Sequence, residues 1–224
     1  MKTEQTAHLT RTQKSFRIKK MTIMAIITAI AYVITFFVHI PFGFLTLDFK
    51  DTILVFGSFI FGPLSGFVMT LVCSLVELFT ISSTGWIGFI MNVLASGSFA
   101  CVAALVHKKK PCLKNAVIGL VLGTVAMTAV MIIWNYLITP LYMDVPREAV
   151  VQMLIPTFLP FNLLKGALNA SLAVMLYPML SILEKSNLIP KTEKTQNTRK
   201  APSIGIIISA VVVLGGCICF ICIK

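Results

Sequence analysis

Charged side chains are scarce in this sequence, and acidic ones are the scarcest. Only 12% of the 224 residues are charged, and Asp and Glu together number 8. A soluble domain of this length carries far more polar surface, whereas 57% of the residues here are hydrophobic. Several uncharged runs reach the roughly 20 residues with which a helix crosses a bilayer. The composition therefore predicts a multi-pass helical membrane protein.

Motifs for catalysis and nucleotide hydrolysis are also missing from the sequence. It contains no P-loop, no Ser-His-Asp arrangement and no convincing cluster of His and Cys. The three histidines (His8, His39 and His107) have no obvious partners, and most of the six cysteines lie in apolar runs as small hydrophobic side chains. The sequence thus predicts no enzyme, no metal site and no cofactor. Without a P-loop, the chain is not expected to hydrolyse ATP itself.

Positive charge is concentrated in three patches beside apolar runs, although the net charge is +11. The patches occupy residues 2–20, 108–114 and 185–200. Basic loops next to membrane spans are typical of the cytoplasmic side, so the pattern favours a membrane topology over nucleic-acid binding. The acidic residues Asp48, Asp51, Asp144 and Glu148 fall in the alternate loops. This distribution predicts a cytoplasmic N-terminus.

Hydrophobic runs and helix breakers divide the chain into four predicted parts. These are a cytoplasmic basic arm (1–20), a six-helix membrane domain (21–188), a basic linker (189–202) and an extra C-terminal transmembrane helix (203–224). The six spans are expected at about 21–40, 52–61, 64–81, 86–106, 116–138 and 153–183. Gly62-Pro63 separates the second from the third, and the regular helix of the sixth is expected to start near Pro160. The predicted fold class is an all-α membrane protein, a six-transmembrane-helix bundle with a seventh C-terminal transmembrane helix.

A lysine inside the sixth span is the strongest functional signal. Lys165 is the single charged residue between positions 153 and 183. A lysine at bilayer depth costs about 3 kcal/mol on insertion scales, so such a residue usually faces an interior cavity. Asn162 lies three positions before it and Asn169 four positions after it, on the same helix face. This stripe suits a polar ligand; the alternative is a lysine buried against a carboxylate for packing.

Other polar residues within the spans are expected to meet Lys165 below the outer surface. Glu77 lies near the outer end of the third span and Asn135 near that of the fifth, beneath the apolar loop 42–51. An apolar pocket with a few convergent polar groups is typical of a ligand site. Glu77 is then either a counter-ion for Lys165 or a ligand contact. The aromatic residues at this level form either part of the pocket or, as the favoured alternative, an interfacial belt: Trp86, Trp134, Tyr136 and Tyr142.

Several short segments together resemble a known family. They are FLTLDFKD (44–51), FGPLSG (61–66), NYL (135–137), PLY (140–142) and LPFNLLKG (159–166). In their order, and in the number of spans, they resemble the substrate-binding S components of energy-coupling factor (ECF) vitamin transporters, specifically the riboflavin type. The resemblance covers about residues 20–188.

The resemblance implies a fold, a mechanism and a set of functional residues. It implies a six-helix protein of a bacterial plasma membrane that binds riboflavin from outside and delivers it by toppling against a transmembrane coupling protein and two ATPase subunits. The implied substrate contacts, with Glu77 added by its position, are Leu45, Thr46, Asp48, Glu77, Asn135, Asn162 and Lys165. Ala25 and Ala29 resemble the small-residue motif that docks on the coupling protein. The chain departs from the family at Cys73-Ser74, where such proteins often carry Lys-Asn, and in its terminal span.

Three other functions remain open at this point. They are an S component for another vitamin or small nutrient, a stand-alone secondary transporter or channel, and a structural membrane protein. A secondary transporter would normally show inverted repeats and more intramembrane carboxylates than Glu77. A structural protein would leave the polar stripe of the sixth span unexplained.

Overall fold

The computed structural model describes residues 2–42, 45–82 and 84–185. Its elements are α1 (Lys2–Phe37), β1 (His39–Phe42), β2 (Leu45–Asp48), α2 (Lys50–Phe61), α3 (Pro63–Thr80), α4 (Gly85–Lys109), α5 (Leu113–Met143), α6 (Arg147–Met153), a π-helical segment (Leu154–Phe158) and α7 (Leu159–Lys185). The predicted linker 189–202 and the predicted helix 203–224 lie outside the described residues.

Five helical segments of the described chain are long and apolar enough to cross a membrane. They are Arg17–Phe37, Pro63–Thr80, Gly85–Lys109, Leu113–Met143 and Arg147–Leu183. The predicted all-α membrane class is confirmed. The expected second span is different, because the 12 residues of α2 extend only about 18 Å and a hydrocarbon core is about 30 Å thick. Helix α2 instead packs among α1, α3, α4 and α7, with most of its residues buried.

The predicted breakers and the observed ends of the helices mostly agree. Gly62 separates α2 from α3 at φ 89°, a value that a glycine adopts without strain, and Pro63 is the first residue of α3. Around Pro156 the chain forms the π-helical segment, after which α7 begins at Leu159. The largest difference is at the N-terminus. There the predicted basic arm is helical and continuous with the first span, since α1 runs from Lys2 to Phe37.

Helices α4 and α5 approach each other most closely where α5 carries two glycines. A Cβ on Gly119 would lie 2.6 Å from the carbonyl oxygen of Ala103, and one on Gly123 would lie 2.7 Å from that of Phe99. Glycine pairs of this spacing allow the backbones of membrane helices to come into contact. The buried side chains of Phe99, Leu120 and others pack around this contact to form the largest core cluster. The cluster gives the bundle a rigid centre.

We expect Gly119→Ala to destabilise the protein by about 1–3 kcal/mol, because the added methyl group meets backbone rather than a movable side chain. The matched control is Gly97→Ala in α4. There the new Cβ would lie 3.4 Å from the Phe67 ring, and alanine favours the helix. Thermal unfolding in detergent measures both variants. Equal unfolding temperatures for the two would contradict the close α4–α5 approach.

Candidate functional site

A β-hairpin packs on one end of the bundle. Strands β1 and β2 pair antiparallel, with Phe42 opposite Leu45 and His39 opposite Asp48. Leu45 and Leu47 are buried against Phe158 and Phe161 of the last transmembrane segment, while Thr46 between them is exposed. This alternation is that of a half-buried strand. Because the side chains of Leu45 and Leu47 are buried, the position of Asp48 at the strand end is fixed.

Lys165 makes its ion pairs with the hairpin and with the start of α2. Its Nζ donates to Asp48 Oδ2 at 2.9 Å and lies 3.7 Å from Asp51 Oδ2. All three side chains are buried. An ammonium has three protons, so these two carboxylates leave capacity for one further acceptor. Lys165 therefore connects α7 to the hairpin and still faces the space between them.

A second buried lysine forms a parallel pair with α3. Lys50 is 1% exposed, and its Nζ donates to Glu77 Oε2 at 2.6 Å while lying 3.8 Å from Asp48 Oδ2. Asn92 of α4 donates its amide to the same Glu77 oxygen at 3.0 Å. Glu77 thus has Lys50 as its counter-ion. The predicted alternative that it neutralises Lys165 is wrong.

Asn169 connects α7 to the hairpin and to the start of α2 through hydrogen bonds and not through an ion pair. Its Nδ2 donates to the Asp48 carbonyl at 3.0 Å, and its Oδ1 accepts from both the Thr52 backbone N–H (3.0 Å) and the Thr52 hydroxyl (2.8 Å). Thr52 is in the first turn of α2, where backbone N–H groups have no partner inside the helix. Asn169 is therefore a structural residue that orients the beginning of α2.

The buried network of these side chains contains more carboxyl groups than amino groups. Asp48, Asp51 and Glu77 are three carboxylates, whereas Lys50 and Lys165 are two ammoniums. Burial raises the pKa of the Asp48 carboxyl, but the charges of Lys165 and Lys50 outweigh that effect and lower the pKa below its usual range. A lowered pKa stabilises the folded state at neutral pH, and this contribution is lost as the pH falls through the lowered value.

Two amide side chains lie on the other sides of the same space. Asn135 of α5 donates through Nδ2 to the Met131 carbonyl at 2.7 Å and accepts at Oδ1 from the Thr139 hydroxyl at 2.9 Å. Asn162 of α7 donates through Nδ2 to the Phe158 carbonyl, also at 2.7 Å. Each amide has a second N–H and further lone pairs. Both therefore retain hydrogen-bonding capacity toward a ligand.

These groups surround a cavity of about 430 Å³. Its polar lining is Thr35, Thr46, Asp48, Lys50, Glu77, Ser82, Thr84, Asn92, Asn135, Tyr142, Asn162 and Lys165. Its apolar lining is Leu45, Ile81, Ile87, Gly88, Met91, Ala95, Met131 and Phe161. The volume and the mixed lining are those of a small-molecule site. Since the residues come from α1, the hairpin, α2, α3, α4, α5 and α7, the whole bundle contributes to the cavity.

The cavity brings together the seven residues that sequence analysis selected as substrate contacts. Leu45, Thr46, Asp48, Glu77, Asn135, Asn162 and Lys165 all line it. Asn169, the third residue of the predicted stripe, is fully buried and contacts Asp48 and Thr52 instead. Ala25 and Ala29 lie elsewhere, on an exposed face of α1.

Lys50 lines the cavity but was not among the site residues predicted from the sequence. Lys50 and Glu77 are 27 positions apart, so no local sequence pattern predicts that they form an ion pair. Among the aromatic residues, Tyr142 lines the cavity, whereas Trp86 is 64% exposed and Trp134 packs against the central core cluster. The four aromatic residues therefore do not form a single group.

The chain is similar in sequence to one family of transporter components and to individual members of it. The family described as "ECF transporter, substrate-specific component" matches residues 19–177. The chain is 33% identical over 173 residues to the riboflavin transporter RibU of Staphylococcus aureus, which covers 73% of this chain and 90% of that relative. It is 29% identical over 163 residues to the riboflavin transporter FmnP of Bacillus subtilis, covering 67% of this chain and 85% of that one.

A solved structure is similar along most of the described chain. It carries the description "Structure and mechanism of the S component of a bacterial ECF transporter". The TM-score is 0.65 at 31% sequence identity, and the match covers 75% of this chain and 99% of the other. The membrane domain therefore has a relative of the same architecture over nearly that relative's full length.

Proposed function

The chain belongs to the family of substrate-specific components of ECF transporters, and from that membership we infer that it binds riboflavin for uptake into the cell. It is a multi-pass protein of a bacterial membrane and not an enzyme. The observation that carries the assignment is the 430 Å³ cavity, in which the polar residues expected from the resemblance converge. Two relatives of 33% and 29% identity are riboflavin transporters.

The charge distribution of the cavity suits an uncharged ligand with many hydrogen-bonding groups. Both lysines of the lining already contact carboxylates, so an anionic ligand would find no unneutralised cation there. Riboflavin carries a flat, largely apolar ring system, carbonyl and N–H groups on one ring edge, and hydroxyls on its ribityl chain. Its ring is expected to pack on the apolar lining. Its polar groups would use the remaining capacity of Asn135, Asn162 and Lys165.

The other four predicted contacts are assigned roles from their positions in the cavity. Leu45 and Thr46 of the hairpin line the cavity and would contact the ligand there. Asp48 accepts a hydrogen bond from Lys165 and so holds its ammonium in place. Glu77 acts on the ligand through the groups that it orients, Lys50 and Asn92.

Delivery of riboflavin requires partners outside this chain. We propose an ATP-driven ECF module of one transmembrane coupling protein and two ATPase subunits, against which the chain topples within the membrane. The N-terminus is proposed to be cytoplasmic. The exposed lysines Lys108, Lys109 and Lys110 lie at the end of α4, opposite the hairpin, and basic residues favour the cytoplasmic side. The hairpin follows the C-terminal end of α1, so the N-terminal end of α1 lies on the same side as these lysines. Ala25 and Ala29 on the exposed face of α1 form the proposed docking surface.

We expect Ala29→Trp to leave riboflavin binding unchanged and to abolish uptake, because an indole on this face prevents the close approach of another helix. Binding is measured on the purified chain, and uptake in cells that express it with an ECF module. Val121→Trp, at an exposed position of α5, serves as the control and should transport normally. Normal uptake by Ala29→Trp would reject α1 as the docking helix.

The assignment is tested by expressing the chain in a riboflavin-auxotrophic bacterium that lacks its own riboflavin transporter. Growth on low riboflavin should depend on this chain, on an intact ATPase and on Lys165. The protein purified from cells grown with riboflavin should show flavin absorption in visible light. A colourless protein that fails to support growth with an active ECF module would shift the assignment to another nutrient.

A further inference from the structure

Among the described helical threonines, Thr139 and Thr52 donate their hydroxyls to an asparagine side chain, unlike most of the others. Six of these donate to the carbonyl oxygen four residues earlier: Thr22, Thr28, Thr35, Thr80, Thr124 and Thr128. Thr139 instead donates to a side chain, Oδ1 of Asn135, at 2.9 Å. It is 1% exposed and does not line the cavity, whereas Asn135 does. Thr139 therefore contacts the cavity residue Asn135 from a buried position outside the cavity.

Two fixed partners determine which way the Asn135 amide faces. The Met131 carbonyl can only accept a hydrogen bond, so Nδ2 must point toward it, and it does so at 2.7 Å. Oδ1 then points toward the Thr139 hydroxyl. Without that hydroxyl the oxygen would lose its buried donor, and the amide plane could rotate about its remaining hydrogen bond to the Met131 carbonyl. Thr139 thus holds one N–H and one lone pair of Asn135 in fixed positions.

A fixed pair of donor and acceptor matters for only part of the proposed ligand. Ribityl hydroxyls rotate and serve as donors or acceptors, so they match either orientation of an amide. The imide edge of the flavin ring presents N3–H beside a carbonyl in a rigid plane, which matches one orientation only. A site that hydrogen-bonds such an edge rejects analogues that lack its N–H, because its own polar groups are left unpaired.

We propose that Thr139 is a positioning residue that makes the site selective for flavins with an intact imide edge. It acts by orienting Asn135, without touching the ligand itself. The inference rests on riboflavin being the substrate and adds a determinant of specificity to that function.

The test compares riboflavin with 3-methylriboflavin, in which a methyl group replaces the N3 proton. Each is titrated into the ligand-free, purified full chain, with flavin fluorescence as the signal. Thr139→Val removes the hydroxyl at nearly constant volume and should weaken riboflavin binding about tenfold, the loss of one or two buried hydrogen bonds. Binding of 3-methylriboflavin, already weak, should change less than about twofold. Thr139→Ser keeps the hydroxyl and should restore riboflavin affinity.

The control variant is Thr128→Val in the same helix, whose hydroxyl bonds to the Thr124 carbonyl and not to a cavity residue. It should bind both flavins like the wild type. Riboflavin binding of Thr139→Val equal to that of the wild type would overturn the proposal. An equal loss for both flavins, or a loss that serine does not restore, would also overturn it. A wild-type chain that binds neither flavin would refute the riboflavin assignment itself, and the inference with it.

Discussion

Lys165→Met is expected to produce the largest loss of riboflavin binding of any single substitution in the cavity. The variant loses a hydrogen bond from a charged donor to the ligand. Such a bond contributes about 1.5–3 kcal/mol of binding free energy, so the affinity should fall roughly 10- to 150-fold. The variant also leaves Asp48 buried without its 2.9 Å partner, and an uncompensated buried charge costs about 3–5 kcal/mol of stability. Flavin fluorescence titration measures the first effect, and thermal unfolding in detergent measures the second.

The double variant Asp48→Asn with Lys165→Met separates these two effects. Both partners of the 2.9 Å ion pair are then neutral, so part of the lost stability should return, although Asp51 still lacks the ammonium that lies 3.7 Å away in the wild type. Riboflavin affinity should stay low, because the donor to the ligand is still absent. A double variant that regains tight binding would limit Lys165 to the structural role of holding Asp48. That is the alternative already open at the level of sequence.

Lys50→Met is expected to destabilise the protein by about 3–5 kcal/mol, because Glu77 is left buried without its ammonium. The contact at 2.6 Å is the shortest ion pair among the described residues. Riboflavin binding should weaken as well, since Lys50 and Glu77 both line the cavity. The unfolding temperature of the ligand-free chain reports the loss of stability without interference from ligand.

The companion variant combines Lys50→Met with Glu77→Gln. Glutamine keeps an oxygen that can accept from Asn92, so this variant should recover most of the stability and bind riboflavin within about tenfold of the wild type. Recovery of stability with binding still lost by several hundredfold would show a direct contact between the ligand and Lys50 or Glu77. An unchanged unfolding temperature in Lys50→Met alone would contradict the buried pair.

Residues within long apolar helices were predictable from sequence because polar groups are costly there. Lys165, Asn162 and Asn135 stand out from their surroundings, and a polar residue in a span must face a cavity or a partner. All three line the cavity. The bounds of α4 and the start of α7 followed from the same hydrophobic pattern and from the prolines.

The charged residues at the start of α2 were not predictable in the same way. Lys50 and Asp51 are neighbours of Asp48 in the segment that was predicted to be the apolar loop 42–51. Their burial depends on Glu77 and on Lys165, the latter 117 positions after Asp48. Such pairing is decided by tertiary structure, and no local pattern encodes it. One local signal was present, since Leu45-Thr46-Leu47-Asp48 alternates with the period of a strand.

The position of α2 illustrates a second limit. Its length of 12 residues was close to the predicted span, but a short apolar helix in sequence can be either a shallow span or an internal element. What decides is the set of neighbours, and these come from four other helices. The same limit applies to Asn169, whose face of α7 was predicted correctly. Its partners on the hairpin and α2 were not.

Riboflavin binding by this chain is assigned to the cavity lined by the hairpin and by α1, α2, α3, α4, α5 and α7. It is tested most directly by titrating the ligand-free, purified chain with riboflavin and following the quenching of flavin fluorescence. We expect saturation at one riboflavin per chain, no displacement by thiamine or biotin, and strongly weakened binding in the double variant Asp48→Asn with Lys165→Met. Absence of saturable quenching in the wild type, or equally tight binding in the double variant, would contradict the account.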